Sequence, residues 1–390
     1  MVERYFAPCP RGLEAALSNE LTHIGGTDVV PTDGGVAFAG DLALALRANL
    51  ESRLASRILW RVGGGTYRNE KDLYALVHAI DWHRLFKPER TLRVDVAATR
   101  SPLASLEFAT LRAKDAVCDR FRAEHGVRPS IDKRAPDVRV HVYLTEHDAL
   151  VYLDTSGEPL FKRGYRREAE EAPLRENLAA GLLALTRWMP GETLLDPMCG
   201  SGTIVVEAAM IAASRAPGLK RTFGFQKLAW YDGPSWQRLR QKAQDRLRNA
   251  PDSVMIFASD IDRAAIAKTQ SHLTAAQVKD FVAVECADVR TRNAPAASGV
   301  LVTNPPYGVR LSDQERLAAF YPLLGDALKR RFAGWTAYLF SGDMRLAKLL
   351  GLKVVKRTPL YNGALDCRLF EVPLRAGSMR EGAVLKSRTD

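Results

Sequence analysis

The chain has 390 residues, of which 46% are hydrophobic and 26% charged, so it can bury the cores of two or three domains. Its net charge of +11 and pI of about 9.5 favour an anionic partner such as nucleic acid. No early apolar run follows a basic N-terminus, and Glu207 interrupts the most apolar helical stretch, which argues against a signal peptide and a membrane span.

The N-terminal part mixes short strands and helices. Over residues 1–60 the patterns predict a strand at 4–7, a helix at 12–24, a strand near 35–38 and a helix at 41–49. Over residues 61–155 they predict a helix at 71–80, a strand at 91–97, a helix at 108–124, and paired strands at 138–144 and 149–154. Both regions are therefore expected to be of the α+β class.

Two basic segments are candidates for contact with nucleic-acid phosphate. The first is a linker at 156–172, with Lys162, Arg163, Arg166 and Arg167. The second is an insertion at about 215–252, where Trp230, Tyr231 and Trp236 precede basic residues that include Arg238 and Lys242. Such a pattern suits an RNA-binding helix, but it equally suits a solvated amphipathic helix whose tryptophan packs on the core.

A strand, a glycine-rich turn and a helix follow one another near residue 200. Residues 193–195 read as a buried strand, and Thr203 opens an apolar helix. Between them lies Asp196-Pro-Met-Cys-Gly-Ser-Gly202, whose glycines allow the backbone N–H groups to approach a polar ligand. The turn has neither the ending of a P-loop nor the dinucleotide fingerprint, so a nucleoside fits better than a phosphate. An ordinary tight turn is the alternative.

Acidic residues follow the next two predicted strands. The strand at 254–259 ends in Asp260-Ile-Asp262, where a carboxylate can bind ribose hydroxyls. The strand at 281–284 is followed by Asp288, which could accept a hydrogen bond from an adenine amino group. Helix N-capping is the alternative role for these residues, particularly for Asp262.

Asn304-Pro-Pro-Tyr-Gly308 comes directly after the apolar run 300–302. The segment resembles the [Asn/Asp/Ser]-Pro-Pro-[Tyr/Phe/Trp] marker of S-adenosylmethionine-dependent methyltransferases that act on amino groups. The resemblance implies that the Asn304 oxygen and the Pro305 carbonyl accept hydrogen bonds from an exocyclic NH2, directing its lone pair at the cofactor methyl. Pro306 would stiffen the loop, and Tyr307 would stack a flipped-out base.

The cofactor-binding set predicted in this way is Asp196, Pro197, Cys199, Gly200, Ser201, Gly202, Asp260, Ile261, Asp262, Asp288 and Asn304.

Other segments resemble one family along nearly the whole chain. The opening at 5–14 is similar to the entry of THUMP-containing RNA methyltransferases. The segments 154–166, 172–180 and 361–369 resemble the bacterial enzymes that methylate the N2 amino group of guanine in large-subunit ribosomal RNA.

This resemblance implies a ferredoxin-like region and a THUMP region that position RNA, then a Rossmann-like, doubly wound α/β methyltransferase domain at 173–376 and a polar tail at 377–390. Some members carry a second methyltransferase domain, for which this chain has no room, so a separate protein would supply that activity.

The five cysteines (9, 118, 199, 286 and 367) are far apart and form no Cys-x-x-Cys pair. They indicate a reducing compartment, hence the cytoplasm, and no metal site is expected. Cys199 is expected to pack rather than to act as a nucleophile. His78 and His83 are five residues apart and do not share a helix face, so metal ligation is not expected there either.

The sequence thus predicts a monomeric cytoplasmic enzyme that uses S-adenosylmethionine to methylate the N2 amino group of a guanine in 23S ribosomal RNA, free or in a precursor large-subunit particle. The alternatives are a tRNA guanine-N2 methyltransferase, a DNA adenine methyltransferase, and a non-catalytic RNA-binding ribosome-assembly factor. The DNA enzyme would need a DNA-reading domain where this chain has a THUMP-like region.

Overall fold

The computed structural model describes residues 2–166, 174–306 and 311–375, with the main chain alone for 311–314 and 316. The chain forms two compact units. The N-terminal unit comprises Met1–Gly164 and Arg215–Leu247, and the C-terminal unit comprises Tyr165–Ser214 and Arg248–Asp390. The chain therefore leaves the C-terminal unit once to add a segment to the N-terminal one.

The N-terminal unit is an α+β structure around one mixed sheet. Its strands in the described residues are β1 (Glu3–Pro8), β2 (Thr27–Thr32), β3 (Gly35–Gly40), β4 (Leu59–Thr66), β5 (Leu92–Ala98), β6 (Val138–Leu144) and β7 (Asp148–Asp154). Its first four helices are α1 (Glu14–Ile24), α2 (Leu42–Glu51), α3 (Glu70–His78) and α4 (Leu106–His125). The strand order is β2-β3-β1-β4-β7-β6-β5, so the pairing of β1 with β4 joins the two predicted α+β regions into one sheet.

Three of these four helices begin at a residue whose side chain caps the first turn. Asp41, Asn69 and Ser105 each accept a hydrogen bond from a backbone N–H in the first turn of α2, α3 and α4. By contrast, β2 and β4 were not predicted. Pro31 lies in β2 and three glycines lie in β4, and both residue types are uncommon inside strands. Tertiary pairing outweighs local preference in these two strands.

The insertion adds a helix to the N-terminal unit. Helix α7 (Gly233–Asp245) buries Trp236, whose ring lies 5.5 Å from that of Phe223 and 5.0 Å from that of Phe225. Within the same unit, Arg221 donates a 2.7 Å hydrogen bond to the Pro159 carbonyl and also contacts the Glu158 carbonyl. The insertion is thus held by apolar packing and by hydrogen bonds to the 156–164 segment.

The C-terminal unit is a doubly wound sheet with helices between its strands. Its helices are α5 (Glu176–Leu185), α6 (Thr203–Ala212), α8 (Arg263–Ala276), α9 (Leu311–Arg331) and α10 (Leu346–Leu349). Its strands are β8 (Leu194–Asp196), β9 (Ile256–Asp260), β10 (Val282–Cys286), β11 (Val300–Thr303), β12 (Thr336–Ser341), β13 (Lys356–Asn362) and β14 (Leu365–Pro373). The order is β10-β9-β8-β11-β12-β14-β13; the first five strands run parallel, and β14 is antiparallel to both β12 and β13.

An aromatic core fixes the central strands of this sheet. Tyr321 of α9, Phe332 directly after α9 and Trp335 next to β12 are 0–1% exposed. They belong to one cluster with Leu195 of β8 and Leu301 of β11. All four residues of β11 are buried, as expected for a central parallel strand. This packing holds β11, the strand that ends directly before Asn304. No helix in the described parts of the chain combines the length and the apolar character needed to cross a membrane.

Candidate active site

The strand order creates a crevice at the carboxyl end of the C-terminal sheet. From β8 the chain winds outward through β9 to β10, and it then returns to the other side of β8 to form β11. Ligands of such sheets bind outside the carboxyl ends, at the point where the winding reverses. Here that point lies between β8, which ends at Asp196, and β11, which ends at Thr303. The two predicted motifs therefore face one crevice.

The glycine-rich loop (residues 196–202) leaves β8 and enters α6 through two left-handed residues. Gly200 has φ +54° and Gly202 has φ +80°, values that favour glycine. A Cβ on Gly202 would lie 2.6 Å from Cγ2 of Thr269 in α8, whereas one on Gly200 would meet nothing within 4 Å. The second glycine is therefore required by the protein's own packing as well as by the turn, a reason that the sequence did not reveal.

Asp260 and Asp262 have different roles in the structure. Asp260 accepts hydrogen bonds from the Gly200 N–H at 2.9 Å and from the Asp262 N–H at 3.0 Å, so it ties β9 to the glycine-rich loop. Asp262 caps α8 by accepting from the Ala264 N–H at 2.9 Å, which is the alternative role that the sequence left open. Ile261 between them is 66% exposed and presents an apolar surface beside these carboxylates.

Asp288 follows β10 and lies next to the end of β9. The residue before it, Ala287, donates its N–H to the carbonyl of Asp260, the last residue of β9, at 3.0 Å. The Asp288 carboxylate accepts from the Arg290 side chain through both oxygens: Nε donates to Oδ2 at 2.8 Å and to Oδ1 at 3.1 Å, and Nη2 donates to Oδ2 at 2.6 Å. Hydrogen bonds from the Arg290 side chain lower the pKa of Asp288 and keep it ionised. The predicted adenine acceptor is therefore already engaged by an arginine, although a carboxylate retains further acceptor positions.

Asp196 is a buried carboxyl group, 1% exposed, at the end of β8. Burial raises the pKa of Asp196 to about 7, with a smaller contribution from the charge of Asp260; the hydrogen bond that Asp196 accepts from the Met198 N–H at 3.3 Å opposes the rise. This carboxyl group therefore titrates near neutral pH, at the junction between the two motifs.

A pH dependence of stability follows from this shift. The pKa of Asp196 is higher in the folded protein than in the unfolded chain, so its stabilising contribution is complete below about pH 4 and is lost as the pH rises through about 7. We expect the melting temperature of the wild type, relative to Asp196→Asn, to fall between about pH 5 and about pH 8. Parallel thermal melts of the two proteins check this, and a pH-independent difference would contradict it.

Cys199 lies inside the glycine-rich loop as a packed residue. Its N–H donates to the Ser259 carbonyl at 2.9 Å, and its side chain is buried. Burial raises the pKa of the Cys199 thiol far above neutral pH, so the nucleophilic thiolate is not formed. All five cysteines are unpaired.

The Asn304 side chain is a buried acceptor at the mouth of the crevice. Its Oδ1 atom is inaccessible to solvent and receives no hydrogen bond from the described part of the chain. Pro305 is buried, and the Pro306 carbonyl accepts a 2.8 Å hydrogen bond from the Tyr321 hydroxyl of α9, which anchors the segment. Tyr307 lies outside the described residues. A buried acceptor without a donor is costly unless a ligand supplies one.

Two residues that sequence reasoning missed support the glycine-rich loop from α8. The Thr269 hydroxyl donates to the Gly200 carbonyl at 2.9 Å, and His272 Nδ1 lies 2.9 Å from the Ser201 carbonyl. Both side chains are buried. They stand about 70 residues beyond the loop, in a helix without a motif, so the sequence carried no signal for them.

The predicted RNA-binding residues divide into exposed and buried ones. Arg163 was predicted to contact RNA. In the structure its side chain is 3% exposed and donates to the Leu160 carbonyl at 2.8 Å, so it has an internal role in the N-terminal unit. Arg166 contacts Thr203 and Glu176, and its side chain is 14% exposed; it supports the start of α6 rather than a binding surface. Lys162, Arg238 and Lys242 are exposed, and Arg167 lies outside the described residues.

The aromatic residues of the insertion pack inside the N-terminal unit. Trp236 is 2% exposed, and the Trp230 ring lies edge-on to that of Trp60 at 6.0 Å. Of the two roles that the sequence left open for these tryptophans, packing is the one observed. Arg238 and Lys242 are four residues apart on α7 and share its exposed face.

One group in the described residues brings together three side chains able to ligate a metal. Donor atoms of His83, Glu124 and His125 lie within 4.8 Å of one another. Glu124, however, uses one oxygen for Arg120 at 2.7 Å and the other for His83. Contacts among these side chains and Arg120 therefore explain why they lie together at the end of α4. The expectation that the protein has no metal site stays a prediction.

A parallel sheet with a glycine-rich loop and an Asn-Pro-Pro segment at its reversal point defines a methyltransferase with a Rossmann-like fold. Residues 4–59 match an RlmL ferredoxin-like domain, 67–154 a THUMP domain, and 163–371 an RMKL-like methyltransferase domain. Because the last match spans more than half of the chain, the protein belongs to the RMKL-like methyltransferase family. The predicted fold class is confirmed.

Individual relatives agree with this placement. The chain is 38% identical over 387 residues to the "Ribosomal RNA large subunit methyltransferase K/L" of Aeromonas hydrophila subsp. hydrophila, covering 94% of this chain and 54% of that protein. It thus spans about half the length of the curated relatives it matches.

Two solved structures cover nearly the whole chain. A possible methylase from Clostridium difficile 630 is similar with TM-score 0.88 and 29% identity, over 97% of this chain and 100% of that one. SMU.472, a "putative methyltransferase complexed with SAH", is similar with TM-score 0.86 and 28% identity, over 97% of this chain and 99% of that one.

Proposed function

We propose that this protein transfers a methyl group from S-adenosylmethionine to the exocyclic N2 amino group of a guanine in 23S ribosomal RNA. The observation that carries the proposal is the Asn304 Oδ1 atom, which is buried without a hydrogen-bond donor from the described residues at the carboxyl end of β11. An amino group is the donor that such an acceptor lacks. The likeness to the Aeromonas K/L enzyme supports large-subunit ribosomal RNA as the substrate. The choice of the guanine N2 amino group rests on the family resemblance of the segments 154–166, 172–180 and 361–369.

The chemistry follows from the nature of the nucleophile. The lone pair of an aromatic amine is delocalised into the ring, so the nitrogen attacks poorly. Acceptors at Asn304 Oδ1 and at the Pro305 carbonyl would orient both N–H bonds, direct the lone pair at the cofactor methyl, and stabilise the positive charge that develops on nitrogen. Tyr307 would stack the extruded base, which contributes about 1–3 kcal/mol.

The cofactor would lie across the ends of β8, β9 and β10. In this arrangement the glycine-rich loop binds polar groups of S-adenosylmethionine, Asp260 accepts from the ribose hydroxyls, and Ile261 packs against the adenine. The likeness to a structure complexed with SAH supports a cofactor of this kind. Asp288 would accept from the adenine amino group with acceptor positions that Arg290 leaves open.

RNA would be held through exposed basic residues of the N-terminal unit. Lys162 and the α7 pair Arg238 and Lys242 present positive charge to solvent. Phosphate contacts position a nucleic acid without reading its sequence, so these residues would contribute affinity rather than base choice. We place this activity in the cytoplasm, in a monomer, on free RNA or on a precursor large-subunit particle.

The test is the loss and rescue of one modified nucleoside. We expect N2-methylguanosine to disappear from large-subunit RNA of cells that lack this gene, and to return with the wild type but not with Asn304→Ala. Mass spectrometry of separated large-subunit RNA, small-subunit RNA and tRNA measures it. Loss confined to tRNA would replace the proposed substrate, and no loss in any RNA would favour a non-catalytic assembly factor.

A further inference from the structure

One face of α8 contacts the glycine-rich loop through two buried polar side chains. Thr269 is 0% exposed and donates to the Gly200 carbonyl at 2.9 Å; His272 is 8% exposed, and its Nδ1 lies 2.9 Å from the Ser201 carbonyl. The two residues are three apart in sequence, so they lie on the same face of the helix. They satisfy successive carbonyl groups of the loop.

These two contacts set the direction of the peptide groups in the loop. In a planar trans peptide the C=O and the following N–H point in opposite directions. Anchoring the Gly200 carbonyl to Thr269 therefore turns the Ser201 N–H away from α8. The Gly202 N–H closes the turn on the Cys199 carbonyl at 2.8 Å. Without support from α8, a loop with two glycines could adopt several backbone conformations.

Helix α8 also connects Thr269 and His272, which contact the glycine-rich loop, to the carboxylates Asp260 and Asp262 at its N-terminal end. It begins with the Asp262 cap, two residues after Asp260, and Ile266 and Leu273 anchor it in the core. One rigid element thus connects the end of β9 with the far side of the glycine-rich loop. Its position determines the geometry of both.

We propose that Thr269 and His272 are positioning residues for the cofactor: by holding the carbonyls of Gly200 and Ser201, they fix the glycine-rich loop in the backbone conformation that receives S-adenosylmethionine. This inference rests on the part of the proposed function that assigns the loop to the cofactor. It does not depend on which RNA is methylated. It adds two residues from a helix that carries no cofactor motif.

Thr269→Val keeps the side-chain volume but removes the hydroxyl that donates to the Gly200 carbonyl, which retains only the longer 3.8 Å contact with the Cys199 thiol among the described hydrogen bonds. We expect the Kd for SAH, measured by calorimetry, and the KM for S-adenosylmethionine to rise about tenfold, while kcat at saturating cofactor changes less than about twofold. Thr269→Ser keeps the hydroxyl and should restore most of the affinity. His272→Phe keeps a ring in place and should weaken SAH binding similarly.

Thr274→Val is the matched control. Thr274 lies on the same helix, is exposed, and donates to the Gln270 carbonyl at 2.9 Å, so the same substitution occurs away from the loop. Its SAH affinity should equal that of the wild type. Affinities of Thr269→Val and His272→Phe that match this control would overturn the proposal, and so would an equal loss in Thr269→Ser.

The outcomes separate this inference from the proposed function. Wild-type protein that fails to bind SAH would refute the cofactor assignment itself. Wild-type protein that binds SAH but methylates no RNA would refute the proposed reaction, while the SAH affinities of the variants would still decide the role of α8. Melting temperatures measured without ligand identify unfolded variants; if Thr269→Val does not fold, the SAH affinities of Thr269→Ser and His272→Phe decide.

Discussion

Asn304→Ala should reduce kcat by about 10²–10³-fold or more, because it removes an acceptor that would act on the amine as charge develops in the transition state. Asn304 also belongs to the predicted cofactor-binding set, but because its proposed role is to hold the substrate amine, the affinity for SAH should remain close to that of the wild type. Single-turnover methylation of RNA, together with calorimetry with SAH, measures both quantities. Unchanged turnover would remove Asn304 from the proposed mechanism.

Two variants make this experiment specific. Asn304→Asp keeps an acceptor oxygen and should retain part of the turnover that the alanine variant loses. Asn293→Ala is a matched control: Asn293 belongs to the same unit and accepts from Arg331 at 2.7 Å outside the crevice. It should leave turnover unchanged. An equal loss in Asn293→Ala would indicate general damage to the fold rather than a role in the reaction.

Asp260→Ala should weaken SAH binding by about 10–100-fold, because it removes charge-assisted hydrogen bonds to the ribose hydroxyls and also the acceptor for the Gly200 N–H. RNA affinity should change much less, because the proposed phosphate contacts lie in the other unit. Calorimetry with SAH and filter binding with RNA test the two parts. An unaltered affinity for SAH would leave Asp260 with a structural role only.

Asp262→Ala separates capping from ligand binding in the same segment. Its carboxylate caps α8, so its loss should lower stability by about 1 kcal/mol and affect SAH affinity less than Asp260→Ala does. A thermal melt and the same titration give both values. If Asp260→Ala and Asp262→Ala weaken SAH binding equally, it is wrong to assign ligand binding to Asp260 and helix capping to Asp262.

Much of the site could be predicted because its signals are local. The glycines at 200 and 202 stand at positions with positive φ, Asp262 caps the helix that follows it, and Asn304 follows a short run of buried strand residues. Strand, turn and cap preferences depend on near neighbours in the chain. Parallel strands align their carboxyl ends at one edge, and the observed strand order brings the two motifs to one crevice.

The charged and aromatic residues were harder to place from sequence. Arg163 and Arg166 were expected at an RNA surface and are instead largely buried, and Trp236 packs in the core. A charged residue in a linker has the same sequence signature whether it meets solvent or a carbonyl group. The partner that decides between these outcomes can be many residues away, as Arg53, whose carbonyl Arg163 contacts, illustrates.

The sequence by itself therefore determined the family, the α/β class and the positions of the two loops in the chain, since each depends on local pattern. The tertiary structure alone decided that the insertion joins the N-terminal unit, that Arg290 engages Asp288, and that Thr269 and His272 of α8 hold the glycine-rich loop. These last features are contacts, most of them between distant parts of the chain. Packing selects such contacts after the strands and helices have formed, so no local pattern encodes them.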